Sequence, residues 1–316
     1  MELIRGGHNI RPRHSGCVAS LGNFDGVHLG HQAVLAQLRD ASSHCGVPST
    51  AIIFEPQPAE YFHPSGQPPR LSALREKLMM LQNFGIDRVC VLRFDEYFAA
   101  QTAEEFATKT LVDGLGIREL IIGDDFKFGS ARGGDFFALQ AFGRQYDFTV
   151  RRTNSYILDG ERVSSTSVRQ KLIDGDLVGA NKFLGRRYFI AGRVVHGQHR
   201  GNSIGFPTAN LKLNRIRAPL NGIYASYVAG LGSELLPSVT YVGSRPIIED
   251  PTYVVETHVF DYVRQDFYGS HLRVEFVEKV RDDLPFESFE KLRQQIVVDC
   301  AAAREILNLA PESAIR

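Results

Sequence analysis

Two histidines three residues apart, His28 and His31, are the first residues in this chain whose type and spacing suit chemistry. They follow Gly22-Asn-Phe24-Asp-Gly26 and precede Val34, Leu35 and Leu38, an apolar stripe at helical spacing. Ahead of them, Val18-Ala-Ser-Leu21 reads as a short buried strand. A strand, a glycine-rich turn and a helix start bring backbone N–H groups and the positive end of a helix to the carboxyl edge of a sheet. Phosphates bind well there. Both imidazoles can face one phosphoryl group. Their spacing is too short for the i, i+4 zinc pair, and the stretch offers no third ligand.

Four further stretches carry residue types suited to phosphate or ring binding. Phe54-Glu-Pro-Gln-Pro58 is a rigid strand exit. Gly123 to Gly129 holds Asp125, Phe126 and Phe128, and two aromatic rings in a glycine-bounded loop suit a flat ring ligand. Val163 to Arg169 sets Ser164, Ser165, Thr166 and Arg169 at a helix start, where hydroxyls and a guanidinium can hold a triphosphate. His196 to Asn210 has glycines at 197, 201 and 205 that let backbone approach phosphates closely. At its end Thr208 offers a hydroxyl and Asn210 an amide oxygen, hard ligands suited to a phosphate-bound Mg²⁺. No GxxxxGK[ST] occurs, so this is not a P-loop.

The elements that must position these residues divide into two patterns. In the first half, strands at 50–54, 88–92, 119–122 and 148–151 alternate with helical segments, one after Ser72 and one opened by the capping box Thr102-Ala-Glu-Glu105. A parallel sheet with flanking helices follows from that alternation. Prolines at 56, 58, 64, 68 and 69 predict a long extended loop. Beyond a short helix ending at Gly185, helical periodicity disappears until Ser288. Strand candidates at 188–195, 222–228, 238–242, 254–260 and 272–280 predict an antiparallel barrel, closed by a terminal amphipathic helix. The expected domains are 1–185 and 186–316.

The histidine turn resembles the HxGH signature of the nucleotidyltransferase superfamily. All the motifs together, in this order, resemble the bacterial bifunctional riboflavin kinase and FAD synthetase family over nearly the whole chain. The resemblance implies a Rossmann-like nucleotidyltransferase domain followed by a riboflavin kinase-like barrel. It implies that riboflavin is phosphorylated by ATP to FMN, and that FMN is then adenylylated to FAD with release of pyrophosphate. It assigns Gly22, Phe24, His28, His31, Ser164, Ser165, Thr166 and Arg169 to ATP in the first half, with the histidines and Arg169 stabilising charge. Gly197, Gly201 and Gly205 would hold ATP in the barrel, and Asp125, Phe126, Phe128 and Arg281 would face flavin. Thr208 and Asn210 would be the Mg²⁺ pair and Glu256 the general base. The chain departs from the family pattern at Gln57, where histidine is common, at Ser167, where arginine is common, and at Ile247.

Hydrophobic content is ordinary for a soluble protein. Over 316 residues, 36 Lys plus Arg balance 36 Asp plus Glu, so no global field favours nucleic acid or an anionic membrane. No apolar run reaches spanning length, and the N-terminus lacks the core of a signal peptide. Four scattered cysteines without CxxC suggest neither a disulfide framework nor zinc. The cytoplasm is the expected compartment. Small-molecule substrates are the expected partners, with no nucleic acid, membrane or obligate protein partner.

Overall fold

The fold is that of a computed structural model describing residues 1–124, 126–130, 133–196, 206–245, 252–262 and 268–309. The chain folds into two compact units. One comprises Met1–Pro68 with Lys77–Ser164, the other Pro69–Glu76 with Ser165–Arg316.

The first unit is built on six parallel strands: β1 (Glu2–Arg5), β2 (Cys17–Leu21), β3 (Ser49–Glu55), β4 (Arg88–Arg93), β5 (Ile117–Ile122) and β6 (Thr149–Arg152). Their order is β1-β4-β3-β2-β5-β6. Every residue of β2 is buried, as its unbroken apolar run requires in a sheet covered on both faces. The chain runs outward from β2 through β3 to β4 and then returns to place β5 on β2's other side. That reversal makes the β2/β5 boundary a topological switch point, with a crevice outside the strand carboxyl ends. The helices are α1 (Leu29–Cys45), α2 (Pro58–Phe62), α3 (Leu74–Asn83), α4 (Glu96–Ala100), α5 (Ala103–Phe106, continued by a π-helical turn Ala107–Val112) and α6 (Phe136–Tyr146). A small hairpin of β7 (Ile157–Leu158) and β8 (Glu161–Arg162) closes this unit.

Besides α4 and the β7/β8 hairpin, which the sequence pattern does not mark, two features differ from expectation. The edge strand β1 buries only Ile4, too little apolar signal to read locally. The proline-rich stretch after β3 contains α2, because Pro58 takes the first helical position, where no N–H is needed. The Gln57 N–H is met by Glu60 Oε2 at 2.9 Å.

Besides Pro69–Glu76, the second unit comprises α7 (Ser165–Ile173) and α8 (Leu177–Leu184), the latter capped by Asp176 and stopped at Gly185 with φ +68°, and then a barrel. Its barrel strands are β9 (Phe189–Val195), β10 (Ala209–Lys212), β11 (Gly222–Ala229), β12 (Leu236–Arg245), β13 (Thr252–Val259) and β14 (His271–Arg281). They close antiparallel in the order β10-β13-β12-β11-β14-β9. Tyr224 and Phe276 fill the interior beside a chain of buried hydroxyls. Ser226 Oγ lies 2.8 Å from Ser238 Oγ and 2.7 Å from Thr240 Oγ1, which donates to Thr257 Oγ1 at 2.8 Å. These bonds satisfy the hydroxyl groups that burial strips of water. Ile223, Ala225 and Val239 point outward and are covered by Cys300 and Ala303 of α9 (Phe289–Ile306) and by Leu307. Among the described residues no helix is long and apolar enough to cross a membrane.

Candidate functional site

The turn after β2 sits at the switch point and is wound left-handed. Phe24, Gly26 and Val27 have φ of +46°, +79° and +41°, two of them non-glycine residues that ordinarily avoid this region. Phe24, Asp25 and Val27 are buried, so packing holds the turn in shape. His28 caps α1, its Nδ1 accepting the His31 N–H at 3.3 Å. With Nδ1 accepting, the proton of the neutral ring resides on Nε2. The two imidazoles stack with centroids 3.7 Å apart at 20°, which aligns their edges, and Phe24 abuts His31 at 5.2 Å. Gly30 makes this packing possible. A Cβ there would lie 3.1 Å from both the His28 ring and the Val163 carbonyl oxygen.

Aromatic rings line the carboxyl edges of neighbouring strands. Phe54, at the end of β3, contacts Phe94 at 5.7 Å and Phe98 at 5.1 Å. Phe94 meets Tyr61 at 5.4 Å and Phe62 at 5.7 Å. Towards the loop after β5 the path runs from Phe98 to Phe106, then to Phe128 and Phe126. Phe126 and Phe128 stack at 5.7 Å and 14°. Phe128 is buried in the core cluster and Phe126 packs half-buried against it, so the inner ring supports the outer one. Gly134 permits this, since a Cβ there would come 2.5 Å from the Phe128 ring. Asp125 lies outside the described residues. Its neighbour Asp124 accepts from Ser155 Oγ at 2.5 Å and Arg162 Nη2 at 3.0 Å. The Ser155 hydrogen bond, helped by the Arg162 charge, holds its carboxyl below the ordinary value.

Sequence reasoning singled out neither Phe62 and Phe94 nor the Asp124–Arg162 pair. Each stands alone in its own segment, and only the fold assembles them. Ser164 belongs to the first unit, whereas Ser165, Thr166 and Arg169 belong to α7 in the second. Arg169 Nε donates to the Pro69 carbonyl at 2.7 Å.

On the barrel, alternation along β13 sends Val255, Thr257 and Val259 inward, so Glu256 and His258 stand on the outer face. Asn210 of β10 is the cross-strand partner of Glu256, which puts their Cβ atoms about 4.5–5.5 Å apart. Thr208 lies just ahead of β10, two residues before Asn210. His258 fixes this strap, its Nδ1 lying 2.8 Å from the Pro207 carbonyl oxygen and its ring meeting Phe206 at 5.5 Å. A hydroxyl and an amide oxygen beside a carboxylate form a hard, sparse donor set. That suits an ion such as Mg²⁺, which takes most of its ligands from phosphate and water. Among the described residues no cluster of three His, Cys, Asp or Glu offers a softer or denser metal site.

Arg281, expected to face flavin, pairs bidentately with Asp299 of α9, with both N–O distances 2.7 Å. Its partner on β11 is Ile223. The candidate glycines 197, 201 and 205 lie outside the described residues.

The FAD synthetase family model matches residues 10–167, and the riboflavin kinase model matches residues 184–307. The chain is 44% identical to the bifunctional riboflavin kinase/FMN adenylyltransferase of Haemophilus influenzae, over 98% of this chain and 100% of that one. It is 46% identical to the protein of the same name from Pseudomonas fluorescens, over 97% and 98% of the two chains. A crystal structure described as a macrolide-efflux protein from Streptococcus pneumoniae superposes with a TM-score of 0.80 at 29% identity, covering 96% of this chain and 99% of that one. That description concerns the Streptococcus protein, and it is the fold that the two chains share. Both halves are matched in order, and the full-length relatives carry one name. This chain therefore belongs to the bifunctional riboflavin kinase/FMN adenylyltransferase family.

Proposed function

We propose that the protein makes FMN and FAD in two ATP-dependent steps, phosphoryl transfer on the barrel and adenylyl transfer at the histidine turn. Residues 186–316 carry the first step and residues 1–185 the second. The observation that supports this most strongly is the pairing of Asn210 with Glu256 across β10 and β13, which sets a hard oxygen ligand beside a carboxylate.

In the kinase reaction the Glu256 carboxylate accepts the proton of the terminal ribityl hydroxyl as that oxygen attacks the γ-phosphorus of ATP. ADP leaves and FMN is formed. Thr208 and Asn210 would hold Mg²⁺ together with the phosphates, and the ion would neutralise charge developing on them. His258 keeps the strap that carries both ligands in place. Positioning and charge neutralisation supply most of the acceleration.

In the adenylyl transfer an FMN phosphate oxygen attacks the α-phosphorus, and pyrophosphate departs. The Nε2–H of His28 donates to a phosphate oxygen, and His31 and Arg169 oppose the added negative charge of the transition state. Gly22 and Phe24 shape the turn around the nucleotide, and Ser164, Ser165 and Thr166 offer hydroxyls to its phosphates. Phe126, backed by Phe128, receives the flavin ring, and Phe62 and Phe94 extend that aromatic edge. Arg281 serves the flavin side of the barrel through Asp299, by fixing the chain that follows β14. We place both reactions in the cytoplasm, consistent with four cysteines none of which is in a disulfide.

Product analysis tests the reading. Riboflavin incubated with ATP and Mg²⁺ yields FMN and then FAD, with ADP and pyrophosphate released in turn, and chelation of the metal stops FMN formation. Flavin binding without turnover would overturn it in favour of a flavin-binding regulator. FAD formed only from supplied FMN would reduce the barrel to a non-catalytic module.

A further inference from the structure

The outer face of the barrel carries a row that crosses five strands. Asn210, Glu256, Tyr241, Ile223 and Arg281 stand side by side, each the register partner of the next. Tyr241 therefore flanks Glu256 on the side away from Asn210. Its ring packs into the apolar cluster under α9, a role that phenylalanine would fill equally well. Its hydroxyl does something else, donating to Asp283 Oδ2 at 2.9 Å.

Asp283 lies on the connection from β14 to α9, only two residues past Arg281. The contact joins this connection to β12, the strand that lies between β11 and β13 in the barrel. Lys279 Nζ binds Asp282 Oδ1, Arg281 Nη1 donates to the Asp282 carbonyl at 2.8 Å, and the Arg281 guanidinium lies 5.6 Å from the Phe286 ring. Gly243 leaves space for the tyrosine tip, since a Cβ there would lie 2.3 Å from the Tyr241 hydroxyl.

We propose that Tyr241 is a positioning residue for the kinase reaction, holding Asp283 so that the 282–288 connection folds back beside Glu256 and walls the flavin side of the site. This rests on the reading of Glu256 as the base. The connection needs such an anchor because its own side chains at 282 to 285 are exposed, leaving little apolar burial to fix it.

Steady-state kinetics of the full chain test it. Tyr241→Phe and Asp283→Ala each raise KM for riboflavin about three- to tenfold, the loss expected for one solvent-exposed hydrogen bond, with kcat changed less than about twofold. The double variant is no worse than either single, because both remove one interaction. Asp283→Asn, which keeps an accepting oxygen, stays near the parent. Adenylylation of supplied FMN is unchanged in all of them, which separates the effect from general unfolding. An unchanged KM in Tyr241→Phe, or additive effects in the double variant, overturns the proposal. Glu256→Gln in the same assay tests the base separately. Retained turnover removes that assignment, while the Tyr241–Asp283 coupling is still read on KM.

Discussion

A Cβ added at Gly30 would meet the His28 ring and the Val163 carbonyl oxygen, each at 3.1 Å. The ring can shift by a few tenths of an ångström. The carbonyl, fixed in its own chain, yields less. Gly30→Ala therefore moves His28 away from its stack with His31, and adenylylation of FMN should slow about tenfold while FMN formation is untouched. Equal rates in the variant would show that the stack is not what places the imidazoles. At this scale the sequence was informative wherever neighbours in the chain are neighbours in space. His28, Gly30 and His31 lie within one turn, so their proximity was legible from spacing alone. Asn210 and Glu256 are 46 residues apart, and only the β10–β13 register brings them together. Residue type alone marks neither Tyr241 nor His258, because each acts through a contact made by another strand or loop.

Among the elements, the capping signals and long apolar runs were legible, as at Thr102 with Glu105, Asp176 with Gly185, and Ser288 before α9. Short elements fixed by tertiary contacts were not. Neither β1 nor α2 buries enough of its own surface to announce itself. The segment 69–76 is the least local element of all. It joins the second unit through Glu76, whose carboxylate accepts the Ala73 and Ala191 N–H groups at 2.7 Å each and pairs with Arg215. Glu76 and Arg215 are 2% and 1% exposed. Burial pushes the Glu76 carboxyl up, and Arg215 pulls against that rise. Removing one member strands the other charge in the interior. Glu76→Ala should lower the unfolding free energy by about 3–5 kcal/mol, read from the urea midpoint of the full chain. An unshifted midpoint would show that the pair contributes nothing to holding the segment on the barrel.

For the whole molecule, zero net charge means that no long-range field gathers ATP. On the proposed reading each site would cancel phosphate charge locally, and the two would do so by different means. A helix start with stacked imidazoles suits attack at the α-phosphorus. A barrel wall with hard oxygen ligands and a carboxylate suits proton removal from a hydroxyl that attacks the γ-phosphorus. Because the two proposed sets share no residue, damage to one should leave the other intact. The most direct measurement is a crossed assay of His31→Ala and Glu256→Ala, each supplied separately with riboflavin and with FMN in the presence of ATP and Mg²⁺. The account predicts that His31→Ala converts riboflavin to FMN and makes no FAD, while Glu256→Ala makes no FMN yet converts supplied FMN to FAD. Loss of both activities to the same extent in each variant would contradict it.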